Sequence, residues 1–191
     1  MMKSELRKIY LDERRSLSSF ELGKCASEIS EIFFASFDLS DVKYLHCFIP
    51  TEKFNEVDTA SIFEKVWRDF PQITTVIPRV NFQTGDLENI VFHAGTELVE
   101  NAWGINEAAS VETAEATKID IVLVPLLCFD ELGNRVGYGK GFYDRLLGRC
   151  RPDCRKVGLS YFPPVDRIDD VAGHDVPLDY CVTPTEIFSF A

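Results

Sequence analysis

The segment Ile119-Asp120-Ile121-Val122-Leu123-Val124-Pro125 limits the fold most. It is short, almost wholly apolar, rich in β-branched residues and closed by a proline, so it reads as a central strand. Other short apolar runs alternate with helical patterns. Residues 3–17 carry Leu6, Ile9, Tyr10 and Leu17 near helical spacing, and Ser18-Ser19-Phe20-Glu21 fits a capping box for a second helix. That helix has an apolar stripe of Leu22, Cys25, Ala26, Ile29, Ile32 and Phe33. Tyr44–Ile49 reads as a buried strand ended by Pro50, Thr59–Phe70 as a helix, and Ile73–Ile77 as a strand stopped by Pro78. Asn81–Asp86 and Asn89–Phe92 around Gly85 read as a hairpin elaboration or a pair of edge strands. Phe142–Cys150 is helical, with strands at Lys156–Tyr161 and Cys181–Thr183. This alternation predicts an α/β fold, a three-layer αβα arrangement around a mostly parallel, Rossmann-like sheet. Ligands of such sheets bind outside the carboxyl ends of the strands, here the loops after Ile49, Ile77 and Pro125.

With 191 residues, 46% of them hydrophobic, the chain can bury about 70% of its unfolded surface. A single domain over residues 1–191 is expected, held by its core without disulfides or a structural metal. No apolar run approaches the ~20 residues of a membrane helix, and the N-terminus lacks a secretory h-region. A cytoplasmic protein with no membrane partner is expected, with its six cysteines reduced. The nearest cysteine pair, Cys150 and Cys154, lacks the second pair of ligands of a zinc site. The net charge of −11 argues against nucleic-acid binding.

Positive charge is nevertheless gathered. Residues 3–15 hold five basic and three acidic residues, and residues 135–156 hold seven basic and two acidic. Residues 81–120 hold one basic and eight acidic. Two basic segments in an acidic chain suit local capture of a small anion.

The second basic segment follows the central strand and leads into a helix. It contains Gly133-Asn134-Arg135-Val136-Gly137-Tyr138-Gly139-Lys140-Gly141-Phe142-Tyr143-Asp144-Arg145. Alternating glycines let backbone N–H groups approach a ligand, the helix N-terminus adds partial positive charge, and Arg135 and Lys140 add full charges. These are the parts of a phosphate cradle. It is not a Walker A loop, which needs Gly at 134 and Ser or Thr at 141, nor a GxGxxG fingerprint. Asp144, in the first helical turn, is a candidate Mg²⁺ ligand beside bound phosphate.

This segment closely resembles the signature of the 5-formyltetrahydrofolate cyclo-ligase (5,10-methenyltetrahydrofolate synthetase) family, roughly G-x-R-L-G-x-G-x-G-Y-Y-D. Five further stretches resemble the family in order: Lys3–Arg7 its K-x-x-L-R, Asn55–Thr59 its E-[VI]-x-T, Ile77–Arg79 and Trp103–Ile105 its I-P-R and W-G-I, and His174–Asp179 its closing acidic motif. The resemblance implies ATP- and Mg²⁺-dependent closure of 5-formyltetrahydrofolate to 5,10-methenyltetrahydrofolate by a monomer, through phosphorylation of the formyl oxygen, with release of ADP and phosphate.

It also implies roles for residues. Lys3, Ser4, Glu5, Leu6 and Arg7 would bind ATP, as would Arg135, Val136, Gly137, Tyr138, Gly139, Lys140, Gly141, Phe142 and Tyr143. Arg135, Lys140 and Tyr143 would be catalytic. Ile49, Glu56, Trp103 and Tyr138 through Phe142 would line the formyl-folate site, with Glu56 accepting from pterin N–H groups. Asp144 and Asp175 would hold Mg²⁺. The chain departs from the family with Phe142 for the first tyrosine of Tyr-Tyr-Asp and Ala108 for a common proline. The competing readings are a sugar-phosphate isomerase-like enzyme and a non-catalytic folate- or nucleotide-binding protein. Turnover without ATP marks the first, and formyl-folate binding without ATP hydrolysis the second.

Overall fold

A computed structural model describes residues 1–81, 83–100 and 106–190. Its helices are α1 (Lys3–Ser16), α2 (Ser19–Ser36), α3 (Ala60–Asp69) and α4 (Phe142–Leu147). The main strands are β1 (Tyr44–His46), β2 (Thr74–Asn81) and β3 (Asp86–Val91). Short strands follow as β4 (Leu98–Glu100), β5 (Asn106–Ala108) and β6 (Thr113–Ala114). The chain continues through β7 (Ile121–Pro125), β8 (Cys128–Phe129), β9 (Arg135–Val136), β10 (Arg155–Leu159), β11 (Tyr180–Val182) and β12 (Ile187–Ser189).

Eight of these strands form one sheet in the order β12-β11-β10-β7-β1-β2-β3-β6. The strands from β11 through β10, β7 and β1 to β2 run parallel. Antiparallel β12 closes one edge, and antiparallel β3 and β6 close the other. The expected mostly parallel α/β sheet is therefore present. Its centre, β7, is apolar on both faces. Ile121 and Leu123 join the core under α2 and α3, whereas Val122 and Val124 join the core under α4. A period-2 strand buried on both sides needs this continuous apolar run.

Local signals explain several boundaries. The Ser18 hydroxyl accepts from Glu21 N at 3.3 Å, and Glu21 returns a carboxylate to Ser18 N at 2.8 Å, so α2 starts on the expected capping box. Pro78 does not stop β2, contrary to the sequence expectation. Thr75 O accepts from β3-side Phe92 N, and Val76 O accepts from Cys47 N on the β1 side. By alternation Pro78 turns its missing N–H toward β1, which has already ended, so no ladder bond is lost. The hairpin at Gly85 consequently pairs residues 76–81 with 86–91, a longer arm than the one expected. Helix α4 ends at Leu147, short of the expected Cys150, and β1 ends at His46, short of Ile49.

Two connections place the glycine-rich segment. After β7 the chain forms the small ribbon β8–β9. Asp130, fully buried, accepts from the N–H groups of Leu132, Asn134 and Ile168. One carboxylate thus closes the turn 130–134 and docks the 165–168 loop. Helix α1 lies against this ribbon, with Leu6 buried beside Cys128, Val136 and Ile168. All six cysteines are free. Among the described residues, no helix is long and apolar enough to cross a membrane.

Two glycines differ sharply in what they tolerate. Gly133 has φ +78°, and a Cβ there would stand 2.8 Å from Leu178 O and from the Phe190 ring. Gly23 sits in α2, where a Cβ would meet nothing within 4 Å. Gly133→Ala is expected to cost about 2 kcal/mol or more. Gly23→Ala should add about 0.5–1 kcal/mol. Urea-unfolding midpoints of the two variants check both signs.

Candidate active site

The two basic segments meet beyond the carboxyl ends of the parallel strands. Arg7, one helical turn after Lys3, donates from Nε to Gly137 O at 2.9 Å. Its guanidinium lies across Gly139, whose absent Cβ would be 3.3 Å away. Gly139 and Gly141 have φ of +83° and +66°, the left-handed region in which glycine is least strained. The alternating glycines are thus required twice, for backbone angle and for the close approach of Arg7. Lys140, between them, is exposed, and its ammonium has no hydrogen bond or ion pair among the described residues.

Two ion pairs line the other side. Lys3 pairs with Asp175, each about one-fifth exposed. Arg135, only 6% exposed, donates Nη2 to Asp144 Oδ1 at 2.7 Å and Nη1 to Val176 O. Val176 N also reaches Asp144 Oδ1, at 3.1 Å. Burial pulls the Arg135 guanidinium downward, while Asp144 and then Asp175 pull it up, so both carboxylates act on one cation. Asp175 is held below the ordinary range; burial opposes this, but the bonds from Lys3 and the Ala172 amide prevail. Asp144 Oδ2 and Asp175 Oδ1 have no hydrogen-bond partner among the described residues. Two hard oxygens beside a cationic rim fit Mg²⁺, which usually takes one or two carboxylates and completes its shell with phosphate and water. They do not form a complete protein cage: no group of three His, Cys, Asp or Glu that could hold a metal occurs among the described residues.

A second compartment adjoins the glycine loop. The rings of Tyr138 and Phe54 lie 4.8 Å apart. Glu56 Oε2 accepts from Thr51 N at 2.7 Å, and Tyr161 donates its hydroxyl to Glu56 O at 3.0 Å. Burial pushes the Glu56 carboxyl up from its ordinary value, while the Thr51 amide, the Tyr138 hydroxyl and Arg14 pull it down. Burial also pushes Tyr138 and Tyr143 up, and the Glu56 charge adds to it. Arg14 is 1% exposed and donates to Tyr138 Oη at 2.9 Å and to Leu126 O. Its guanidinium carbon stands 5.6 Å from the Tyr161 ring centroid. At the back, His46 reaches Asn89 Oδ1 at 3.0 Å and Tyr143 Oη at 3.3 Å.

The sequence-predicted residues Lys3, Arg7, Glu56, Arg135, Tyr138, Lys140, Tyr143, Asp144 and Asp175 all fall in this region. Some have framework roles: Leu6 is buried, Glu5 accepts from Met2 N at 3.0 Å, and Ile49 packs on the core. Phe142 packs on the core under α4, with the Arg145 guanidinium 5.3 Å from its ring centroid. Trp103 lies outside the described residues. Sequence reading missed Arg14, His46 and Asn89. Arg14 was legible in principle, since positions 3, 7 and 14 share one helical face. His46 stood as a lone polar residue in an apolar run at a strand's carboxyl end.

The Glu56 direction gives a stability test. An acid whose folded pKa is raised binds its proton more tightly folded than unfolded. Its contribution favours folding below the ordinary value of 4.5 and is lost as pH rises through the folded value. Glu56→Gln, always neutral, should therefore be more stable than the parent near neutrality and lose that advantage in acid. Urea midpoints at about pH 4 and about pH 7.5 read this, and an equal difference at both would refute it.

Comparison with known proteins bears on the same region. A model of the 5-formyltetrahydrofolate cyclo-ligase family matches residues 1–184. A 5-formyltetrahydrofolate cyclo-ligase of Escherichia coli K12 is 30% identical over 139 residues, 71% of this chain and 75% of that protein. That of Mycoplasma pneumoniae is 29% identical over 184 residues, covering 95% and 98%. The NMR structure of Aquifex aeolicus 5,10-methenyltetrahydrofolate synthetase superposes with a TM-score of 0.84 at 30% identity, over 100% of this chain and 93% of that one.

Proposed function

Because the chain belongs to the 5-formyltetrahydrofolate cyclo-ligase family, we propose that it converts 5-formyltetrahydrofolate and ATP to 5,10-methenyltetrahydrofolate, ADP and phosphate. The observation that carries this reading is the junction of α1 and the glycine loop. Arg7 clasps the loop, which carries Lys140, and the Lys3–Asp175 and Arg135–Asp144 pairs stand beside it.

The reaction fits such a site. Transfer of the γ-phosphoryl group to the formyl oxygen turns a poor leaving group into a good one. Nitrogen 10 then attacks the formyl carbon, the C–O bond breaks with its electron pair going to phosphate, and the N10 proton is lost. Phosphoryl transfer of this kind depends on positioning and charge neutralisation rather than on a covalent protein nucleophile. Lys3, Arg7 and the N–H groups of the loop hold the triphosphate. Lys140, exposed and without an ion pair among the described residues, neutralises the migrating group. Arg135 is committed to Asp144 and Val176 O, so it contributes field and holds Asp144 in place. Asp144 and Asp175 hold Mg²⁺, which when bound screens phosphate charge. Glu56 accepts from the pterin N–H groups beside the Tyr138 ring. Phe142 packs its ring, so the missing hydroxyl at this position leaves the local wall intact.

The test is absorbance at the methenyl-folate band with purified protein, 5-formyltetrahydrofolate and MgATP. The band is expected to grow only with ATP present. Growth without ATP, or folate binding with no turnover, overturns the reading. Lys140→Ala is expected to lower kcat about 100-fold, the usual loss when one preorganised donor to developing charge is removed. Asp144→Asn should raise the Mg²⁺ concentration needed for half-maximal rate. Wild-type values in both variants would remove Lys140 and Asp144 from the machinery.

A further inference from the structure

Behind Tyr143 runs a chain of buried polar groups whose direction can be worked out from its far end. Asn89 opposes Ala114 in the β3–β6 pairing, and its Nδ2 faces Ala114 O at 3.3 Å. A carbonyl only accepts, so the amide nitrogen must be the atom that faces it, and Oδ1 then faces His46 Nδ1 at 3.0 Å. Oδ1 also only accepts, so His46 Nδ1 must carry a hydrogen. His46 is fully buried at the end of β1, and burial lowers its pKa to about 4, so the ring is neutral with one hydrogen. Nε2 is therefore a bare lone pair. It stands 3.3 Å from Tyr143 Oη, where the phenolic hydrogen must be the donor. The His46 and Tyr143 rings meet edge-on, 5.7 Å apart at 86°, which fixes the phenol's orientation as well.

We propose that His46 and Asn89 are positioning residues that turn the Tyr143 hydroxyl hydrogen inward and present its oxygen to the site as an acceptor for an N–H donor of the bound folate. The proposal rests on the folate reading above. No donor among the described residues bonds to the Tyr143 oxygen. The Glu56 charge also acts on Tyr143 electrostatically. An acceptor oxygen held this way discriminates for a ligand that carries N–H donors, as a reduced pterin does, and against one that offers carbonyls there. An unconstrained phenol would donate as readily as accept. The buried chain removes that ambiguity by ending on the Ala114 carbonyl, which sheet pairing holds in place.

Two measurements decide the proposal. The first is the ¹⁵N–¹H long-range correlation spectrum of the labelled wild-type protein near neutral pH, with the His46 signals assigned by their loss in a His46 variant. The neutral tautomer with hydrogen on Nδ1 is expected. A hydrogen on Nε2, or a doubly protonated ring, overturns the chain's direction and the proposal with it. The second is a mutant cycle on turnover. His46→Gln is expected to lower kcat about 10-fold in the wild-type background. It should lower kcat no further in Tyr143→Phe, because it acts only through that hydroxyl. Equal losses in both backgrounds mean a general structural role and overturn the proposal. If His46→Gln does not fold, Asn89→Ser enters the same cycle with the same two outcomes. A wild type with no ATP-dependent turnover refutes the folate reading, and with it the folate-acceptor part of the proposal. The tautomer spectrum needs no activity and judges the hydrogen-bond chain separately.

Discussion

The buried guanidinium of Arg14 joins several parts of the protein that lie far apart in the chain. It is 1% exposed and lacks an ion pair among the described residues, an expensive state for a cation unless neighbours replace its water. The neighbours come from separate stretches of chain: Leu126 O just after β7, the Tyr138 hydroxyl in the glycine loop, and the Tyr161 ring beyond β10. Asn55 Nδ2 bonds to the Arg14 carbonyl at 3.1 Å, tying in the segment that carries Glu56. Glu56 contributes opposite charge at longer range. Arg14 is fully solvated only if all these segments are in place, so its burial couples α1, the glycine loop and the Glu56 wall. Its Nε finds no partner, so even the assembled site leaves part of the cation unsatisfied.

The glycine loop needs such external support because its own sequence gives it little. Glycines lose more conformational freedom on ordering than other residues, and Gly137–Gly141 includes three of them. The order is imposed from both flanks. Upstream, Asp130 gathers the N–H groups of Leu132, Asn134 and Ile168. Downstream, Asp144 is pinned by Arg135 and Val176. From above, Arg7 bonds Gly137 O. Each support is polar and several carry charge, in keeping with a surface that must stay hydrated until an anion arrives.

The parts legible in the sequence were those in which one physical signal dominates. The doubly apolar β7 run, the Ser18–Glu21 capping box and the Gly85 turn predicted their elements because burial, N–H capping and positive φ leave few alternatives. That Lys3, Arg7, Asp144 and Asp175 gather in one region was expected from family resemblance; charge pattern alone says only that cations cluster. Pro78 misled because its effect depends on which neighbour its nitrogen faces, a property of the sheet and not of the segment. The short strands β4, β5, β6 and β12 carry too few residues to show a period. Arg14, Asp130, His46 and Asn89 act through partners far along the chain, up to 124 residues away for Arg14 and Tyr138, and no local pattern reports such distances.

The acidic total charge and the cationic site are then two aspects of one arrangement. Lys3 is neutralised by Asp175, and Arg135 by Asp144, so the pocket does not carry the repulsion that a bare cluster of cations would. Each carboxylate uses only one oxygen on its cation, and the other has no hydrogen-bond partner among the described residues. An incoming metal-bound polyphosphate brings negative charge for the lysine and arginine and positive charge for the aspartates. It therefore satisfies both halves of each pair without leaving either buried and unpaired. A bare polyphosphate satisfies only the cations, and a bare metal only the acids. Pairing Lys3 and Arg135 with acids would thus favour a metal complex over either component, a selectivity that cations alone do not provide.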